Sequence, residues 1–161
     1  MNDFTYYNPT KIEFGRGKEN NIGLYIKEAG IKKVLLAYGT GSIKKSGLYE
    51  RVVTSLKEHG VAFTTLDGIV SNPLLSRVYD GVKIAKEQNV EAILGVGGGS
   101  VIDSAKAIAA GALYDGDVWD FFINKASIEE ALPVFAVMTL SAAASEMNGN
   151  AVITNDKTQQ K

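Results

Sequence analysis

The sequence predicts an α/β domain, a parallel sheet flanked by helices and preceded by an N-terminal β-hairpin. Three observations predict it. Short apolar runs alternate with stretches of helical period, which is the signature of strands buried on both faces and covered by their own crossovers. Two of those runs end in glycine turns, Gly39-Thr40-Gly41-Ser42 and Gly97-Gly98-Gly99-Ser100. The chain holds 17 glycines, where average usage would give about 11.

The elements follow in order. Residues 4–7 and 11–14 read as two short strands joined through Asn8-Pro9, a turn signal. Residues 18–29 read as a helix closed by Gly30, and residues 33–38 as a buried strand. A helix over 47–59 carries Leu48, Val52, Val53 and Leu56 at helical spacing and stops at Gly60. Residues 61–66 form a second strand, broken by Asp67-Gly68. After Asn72-Pro73, a helix over 74–88 puts Leu75, Val78, Val82 and Ala85 on one face. A third strand over 91–96 runs into the triple glycine, and a helix from Ser100 to about Leu113 follows. Residues 115–131 read as a surface excursion, 133–138 as a last buried strand and 151–154 as a further one.

Composition narrows the function classes. The 161 residues suit one domain, and 45% apolar content with 22% charge suits a folded one. Zero cysteines exclude a disulfide scaffold, an Fe–S cluster and a thiol nucleophile. The single histidine, His59, excludes a multi-histidine metal site and reads as a helix-end residue near the C-terminal dipole. A net charge of −1 argues against a simple nucleic-acid binder. No apolar run approaches the ~20 residues of a membrane span, and no signal peptide is visible, so a cytoplasmic protein is expected. Residues 1–60 hold ten basic and six acidic side chains, against seven and twelve in 61–161.

The triple glycine carries the chemistry. Glycines let the backbone approach a ligand closely, and the first N–H groups of the following helix point at it from the positive end of the dipole. Gly95-Val96-Gly97-Gly98-Gly99-Ser100 nearly matches the dinucleotide fingerprint, with Ser where the last Gly or Ala would stand. The alternative is local: Ser100 as an N-cap with Asp103 three residues on, a carboxylate variant of the capping box. The 39–42 turn follows the first buried strand, where a standard Rossmann domain places its pyrophosphate. Asp67 would then be the ribose carboxylate, but it stands 28 residues beyond Gly39 rather than ~20.

Several segments together resemble the iron-dependent alcohol dehydrogenase family, in particular its butanol dehydrogenase and broad aldehyde reductase branch. They are Tyr7-Asn8-Pro9-Thr10-Lys11-Ile12-Glu13-Phe14-Gly15, Tyr38-Gly39-Thr40-Gly41-Ser42-Ile43-Lys44-Lys45-Ser46-Gly47 and Asn72-Pro73. To these add Gly97-Gly98-Gly99-Ser100-Val101-Ile102-Asp103-Ser104-Ala105-Lys106 and Thr139-Leu140, continued by Ser145-Glu146-Met147-Asn148. The resemblance implies a Rossmann-like fold of the dehydroquinate synthase N-terminal type, with residues 1–161 as the dinucleotide-binding domain. It implies that hydride passes between NAD or NADP and a small alcohol or aldehyde in the full-length protein. Fe2+ or Zn2+ would be held there by one Asp and three His of a C-terminal helical domain, none of which falls in this chain, so no catalytic or metal residue is expected here. A homodimer through the hairpin is expected, with neither nucleic acid nor membrane as partner. Two other classes compete: a stand-alone nucleotide-binding module, and an NAD-using lyase of the dehydroquinate synthase type.

Roles carry over by matching. Gly97, Gly98, Gly99 and Ser100 would hold the pyrophosphate. Asp103 would lie near the nicotinamide, Asn72 at the nucleotide, Thr139, Leu140 and Val152 along the cofactor, and Lys161 near a ribose. Gly39, Gly41 and Ser42 would meet the adenosine end. NAD-preferring members often carry Asp at position 39; Gly39 removes its repulsion of a 2′-phosphate, and Lys44 and Lys45 stand nearby, so NADP is expected over NAD. The family loop reads T-L-P-A-T-G-S-E, whereas this chain has Ala143 and Ala144 in place of its Thr and Gly. A hydroxyl and a glycine's access to positive φ are lost there, so the path of this loop does not carry over.

Overall fold

The computed structural model describes residues 3–5 and 7–161. Four strands, β1 (Lys33–Gly39), β2 (Ala62–Ile69), β3 (Ala92–Gly97) and β4 (Val134–Met138), make one sheet in the order β2-β1-β3-β4. Every pairing is parallel. α1 (Ile22–Glu28) precedes β1, and the connections hold α2 (Ser42–Lys45), α3 (Leu48–Glu58), α4 (Leu75–Glu87) and α5 (Gly99–Ala112). None of these helices is long and apolar enough to cross a membrane.

Alternation along the central strands sorts the core into two layers. Val34, Leu36 and Tyr38 pack with Ala92, Leu94 and Val96 beneath α1 and α3. Leu35, Ala37 and Ile93 pack on the opposite face beneath α4 and α5. Both faces are therefore covered, and residues 34–38 are all buried. The two edge strands are the exceptions: Thr64 and Thr65 of β2 lie among partly exposed positions, and β4, expected to be buried, has no fully buried residue, with Val134 38% exposed. An edge needs no second apolar face.

α1 and α3 meet backbone to backbone. The Gly23 N–H donates to the buried Ser55 Oγ at 3.0 Å. A Cβ on residue 23 would stand 2.1 Å from the Ser55 carbonyl oxygen. Gly23→Ala is therefore expected to destabilise the fold by roughly 2–3 kcal/mol, since overpacking here outweighs alanine's better helix propensity. That corresponds to a fall in Tm of roughly 5–10 °C. A thermal melt checks it, and an unchanged Tm would mean that the two helices stand further apart.

Among the described residues the expected N-terminal hairpin is not seen. Residues 3–5 and 7–14 carry no strand, and Tyr6 lies outside the described residues. The turn chemistry is present, because the Thr10 N–H donates to Asn8 Oδ1 at 3.0 Å. The segment lacks a third strand and a core to bury against: Phe14 is 95% exposed. A two-stranded hairpin alone is marginal in water. Three other boundaries shift. β2 continues through Asp67-Gly68 to Ile69 across a register irregularity opposite Ala37 and Gly39, with Gly68 at φ 73°. Residues 151–154 make a single parallel bridge, Thr154 to Leu74, in place of a strand. The excursion after α5 is partly core: Val118 is buried, and Trp119, Phe121 and Phe122 pack on the α4–α5 layer. Its aromatic content gives it apolar area to bury.

Candidate nucleotide-binding site

β1 is followed by a neighbour on one side, and β2 by β3 on the other. The carboxyl ends of β1 and β3 therefore flank the topological switch point, where open α/β sheets bind ligands. Tyr38 pairs with Val96, so the 39–42 and 97–100 turns leave adjacent strands at the same level. The sequence-predicted glycines thus converge on one rim of the sheet.

α5 starts one residue earlier than the periodicity suggests. Gly98 is its N-cap and no side chain caps it. The Val101 and Ile102 N–H groups donate back to the Gly98 carbonyl at 3.0 and 3.2 Å. Ser100 is inside the helix, and Asp103 closes no capping box. Instead Asp103 Oδ2 accepts the Val152 N–H at 3.0 Å, and Oδ1 pairs with Lys106 Nζ at 3.5 Å. The capping alternative is overturned, which leaves the helix N-terminus with its glycine cradle. A Cβ built on Gly98 would meet only the Leu140 Cβ, at 4.0 Å, while one on Gly99 would stand 3.2 Å from Ser145 Oγ.

The loop after β4 closes one side of this cradle. The Thr139 N–H donates to the Gly97 carbonyl at 3.0 Å. Leu140 is 66% exposed and Val152 53% exposed. Two apolar side chains are thus left facing solvent beside the glycine turn. The segment 151–161 returns to the same rim: the Leu75 N–H donates to the Thr154 carbonyl, and the Thr154 N–H to the Pro73 carbonyl, both at 2.8 Å. Asp156 Oδ1 accepts the Ser76 N–H at 3.1 Å, and such backbone donors hold its carboxyl below the usual carboxylate range. Lys161 Nζ donates to Asn72 Oδ1 at 3.0 Å, so two residues 89 positions apart become neighbours.

Other expected contributors are spoken for. Asp67 is ion-paired with Arg77 at 3.0 Å and turned toward α4, away from any ribose role at the glycine turn. Lys44 lies 5.2 Å from the ring centroids of both Tyr38 and Tyr49, a cation–π position. Gly41 caps α2 at φ 132°, and Ser42 opens that short helix in an exposed position. His59 caps the end of α3, with Nδ1 2.8 Å from the Ser55 carbonyl. A helix that follows β1 in a parallel crossover ends at the opposite rim, so His59 is remote from the site. Among the described residues no three of His, Cys, Asp and Glu converge on one point. The residues present therefore do not fit a catalytic metal.

Sequence reasoning missed one polar arrangement beside the crevice. Lys106, quoted only as part of a motif, donates from Nζ to the carbonyls of Ser145 (2.9 Å), Asn148 (3.3 Å) and Asn150. Burial pushes its pKa below the ordinary lysine range, against the opposing pull of Asp103. The signal was the D-x-x-K spacing, which puts both side chains on one helix face. Ala144, where a glycine was expected, keeps the left-handed backbone at φ 54°.

A parallel α/β sheet with a glycine turn opening a helix at its switch point defines a Rossmann-like domain. The chain belongs to the iron-containing alcohol dehydrogenase family, whose model matches residues 9–161. It is 52% identical over 161 residues to a probable NADH-dependent butanol dehydrogenase 1 of Bacillus subtilis. It is 38% identical to the NADPH-dependent aldehyde reductase YqhD of Escherichia coli. All of this chain aligns with each, but it spans only 41% of their length. The crystal structure of NADH-dependent butanol dehydrogenase A from Thermotoga maritima superposes with a TM-score of 0.97 at 61% identity, covering 98% of this chain and 40% of that one.

Proposed function

We propose that this chain is the cofactor-binding part of an NAD(P)-dependent alcohol dehydrogenase or aldehyde reductase. The observation that carries the reading is the 97–100 turn at the switch point, where Gly98 faces open space at the start of α5. The N–H groups there take the pyrophosphate, Leu140 and Val152 flank the cofactor, and Asn72 with Lys161 meets a ribose hydroxyl. When bound, the dinucleotide supplies or accepts the hydride, and the chain's residues bind and orient it. Calorimetric titration with NADH and NADPH tests this. Saturable binding of either supports it; no binding of both overturns it.

Gly39 bears on the choice between the two. It carries no carboxylate to repel a 2′-phosphate, so we read the site as accepting NADP(H). The names of the relatives at 52% and 61% identity specify NADH. Gly39→Asp is expected to weaken NADPH more than NADH, by about 10-fold in the ratio, through like-charge repulsion. A Cβ at position 39 would stand 3.2 Å from the Ile69 carbonyl oxygen, so Gly39→Asn serves as the uncharged control of the same shape. An unchanged ratio in Gly39→Asp would show that position 39 does not face the 2′ position.

A further inference from the structure

We propose that Lys106 is a positioning residue for the dinucleotide: its ammonium pins the 144–150 segment and Asp103 together, and so sets the wall of the crevice beside Gly99. The proposal rests on the dinucleotide reading above. Lys106 lies seven residues beyond Gly99 on α5, about two turns along the same face. Its side chain is only 18% exposed. Its oxygen partners come from one short stretch, the carbonyls of Ser145, Asn148 and Asn150 with Asn148 Oδ1 at 3.3 Å, and from Asp103 on its own helix. An apolar side chain would leave these oxygens without their donor in a partly buried site.

What the ammonium holds is a strained turn. Ala144 keeps a left-handed backbone that an alanine leaves readily when nothing fixes it. Asn148 Nδ2 donates to the Ala144 carbonyl at 2.8 Å, while its own carbonyl and Oδ1 face Lys106. The next residue, Ser145, puts Oγ against Gly99. On the other side, the Asp103 carboxylate that Lys106 neutralises accepts the Val152 N–H and so holds the returning 151–161 segment. One charge thus ties both flanks of the crevice to the helix that carries its phosphate-binding end.

The test compares the parent chain with Lys106→Met and Asn148→Ala, titrated with NADH, NADPH and ADP. Lys106→Met is expected to lose about 10- to 100-fold in dinucleotide affinity as its hydrogen bonds go. ADP should change less than about 3-fold, because the amides at the start of α5 remain in place. Amide hydrogen exchange should speed up in residues 143–150 while β1 and β3 stay protected. Asn148→Ala keeps the buried charge paired and should show the same pattern more weakly, which keeps the test open if Lys106→Met fails to fold. Equal dinucleotide affinity in parent and both variants overturns the proposal alone. A parallel loss of ADP and dinucleotide affinity also overturns it, since that marks a general structural role. A parent that binds no dinucleotide overturns the underlying reading, and this proposal with it.

Discussion

Gly98→Val is expected to abolish nicotinamide dinucleotide binding while leaving the fold in place. Gly98 adopts φ −87° and ψ −171°, extended backbone that valine takes without strain. A Cβ there would meet nothing nearer than the Leu140 Cβ, at 4.0 Å. In the proposed reading, that space is where a pyrophosphate would approach the N–H groups of α5. Losing two charge-assisted hydrogen bonds there is expected to cost about 3–6 kcal/mol, or at least about 100-fold in Kd. Calorimetry with both dinucleotides reads the affinity, and a melt reads the fold. Gly97→Val is the contrasting variant: its Cβ would stand 2.6 Å from Val101 Cγ2, so it should lose stability as well. Equal affinity of Gly98→Val and parent would place the ligand elsewhere.

The purified 161-residue chain is expected to turn over no aldehyde with any divalent metal. Reducing a carbonyl by hydride in a metal-dependent dehydrogenase needs a Lewis acid to polarise it, and a catalytic metal takes three protein ligands with one position open. Here His59 sits at the rim opposite the crevice, at the end of α3. Of the carboxylates near the crevice, Asp103 is engaged by Lys106 and the Val152 N–H. Glu146 Oε2 is a buried atom that lacks a hydrogen-bond partner, and no third donor joins it among the described residues. NADPH oxidation with butyraldehyde, measured across Fe2+, Zn2+, Mg2+ and Mn2+, should stay at the no-protein rate. Metal-dependent turnover would show that a ligand set assembles where the donor geometry says it does not.

Much of the fold was legible because its signals are local. Continuous apolar runs marked β1, β3 and β4, glycines closed α1 and α3, and crossover order implied a parallel sheet. The readings that failed depended on partners distant in the chain. Whether residues 4–14 form strands turns on what they pair with. Asp67-Gly68 reads as a stop, yet pairing with β1 carries β2 past it. The sequence starts α5 at Ser100, whereas Gly98 is its N-cap and Asp103 accepts the Val152 N–H from a segment 49 residues away.

The site divides along the same line. Its glycines were readable because close backbone approach and a helix N-terminus need glycine at those places whatever the rest of the chain does. The sequence by itself therefore determined the α/β class, the glycine turn that opens α5 and the family. The tertiary structure alone decided that Asn72 meets Lys161, that Asp67 belongs to Arg77, and that Lys106 gathers oxygens 39 to 44 residues away. Hydrogen bonds of that kind have no period and no local composition. They exist only after the sheet has brought its carboxyl-end loops onto one rim, and burial then makes each unpaired polar group costly enough to select one arrangement.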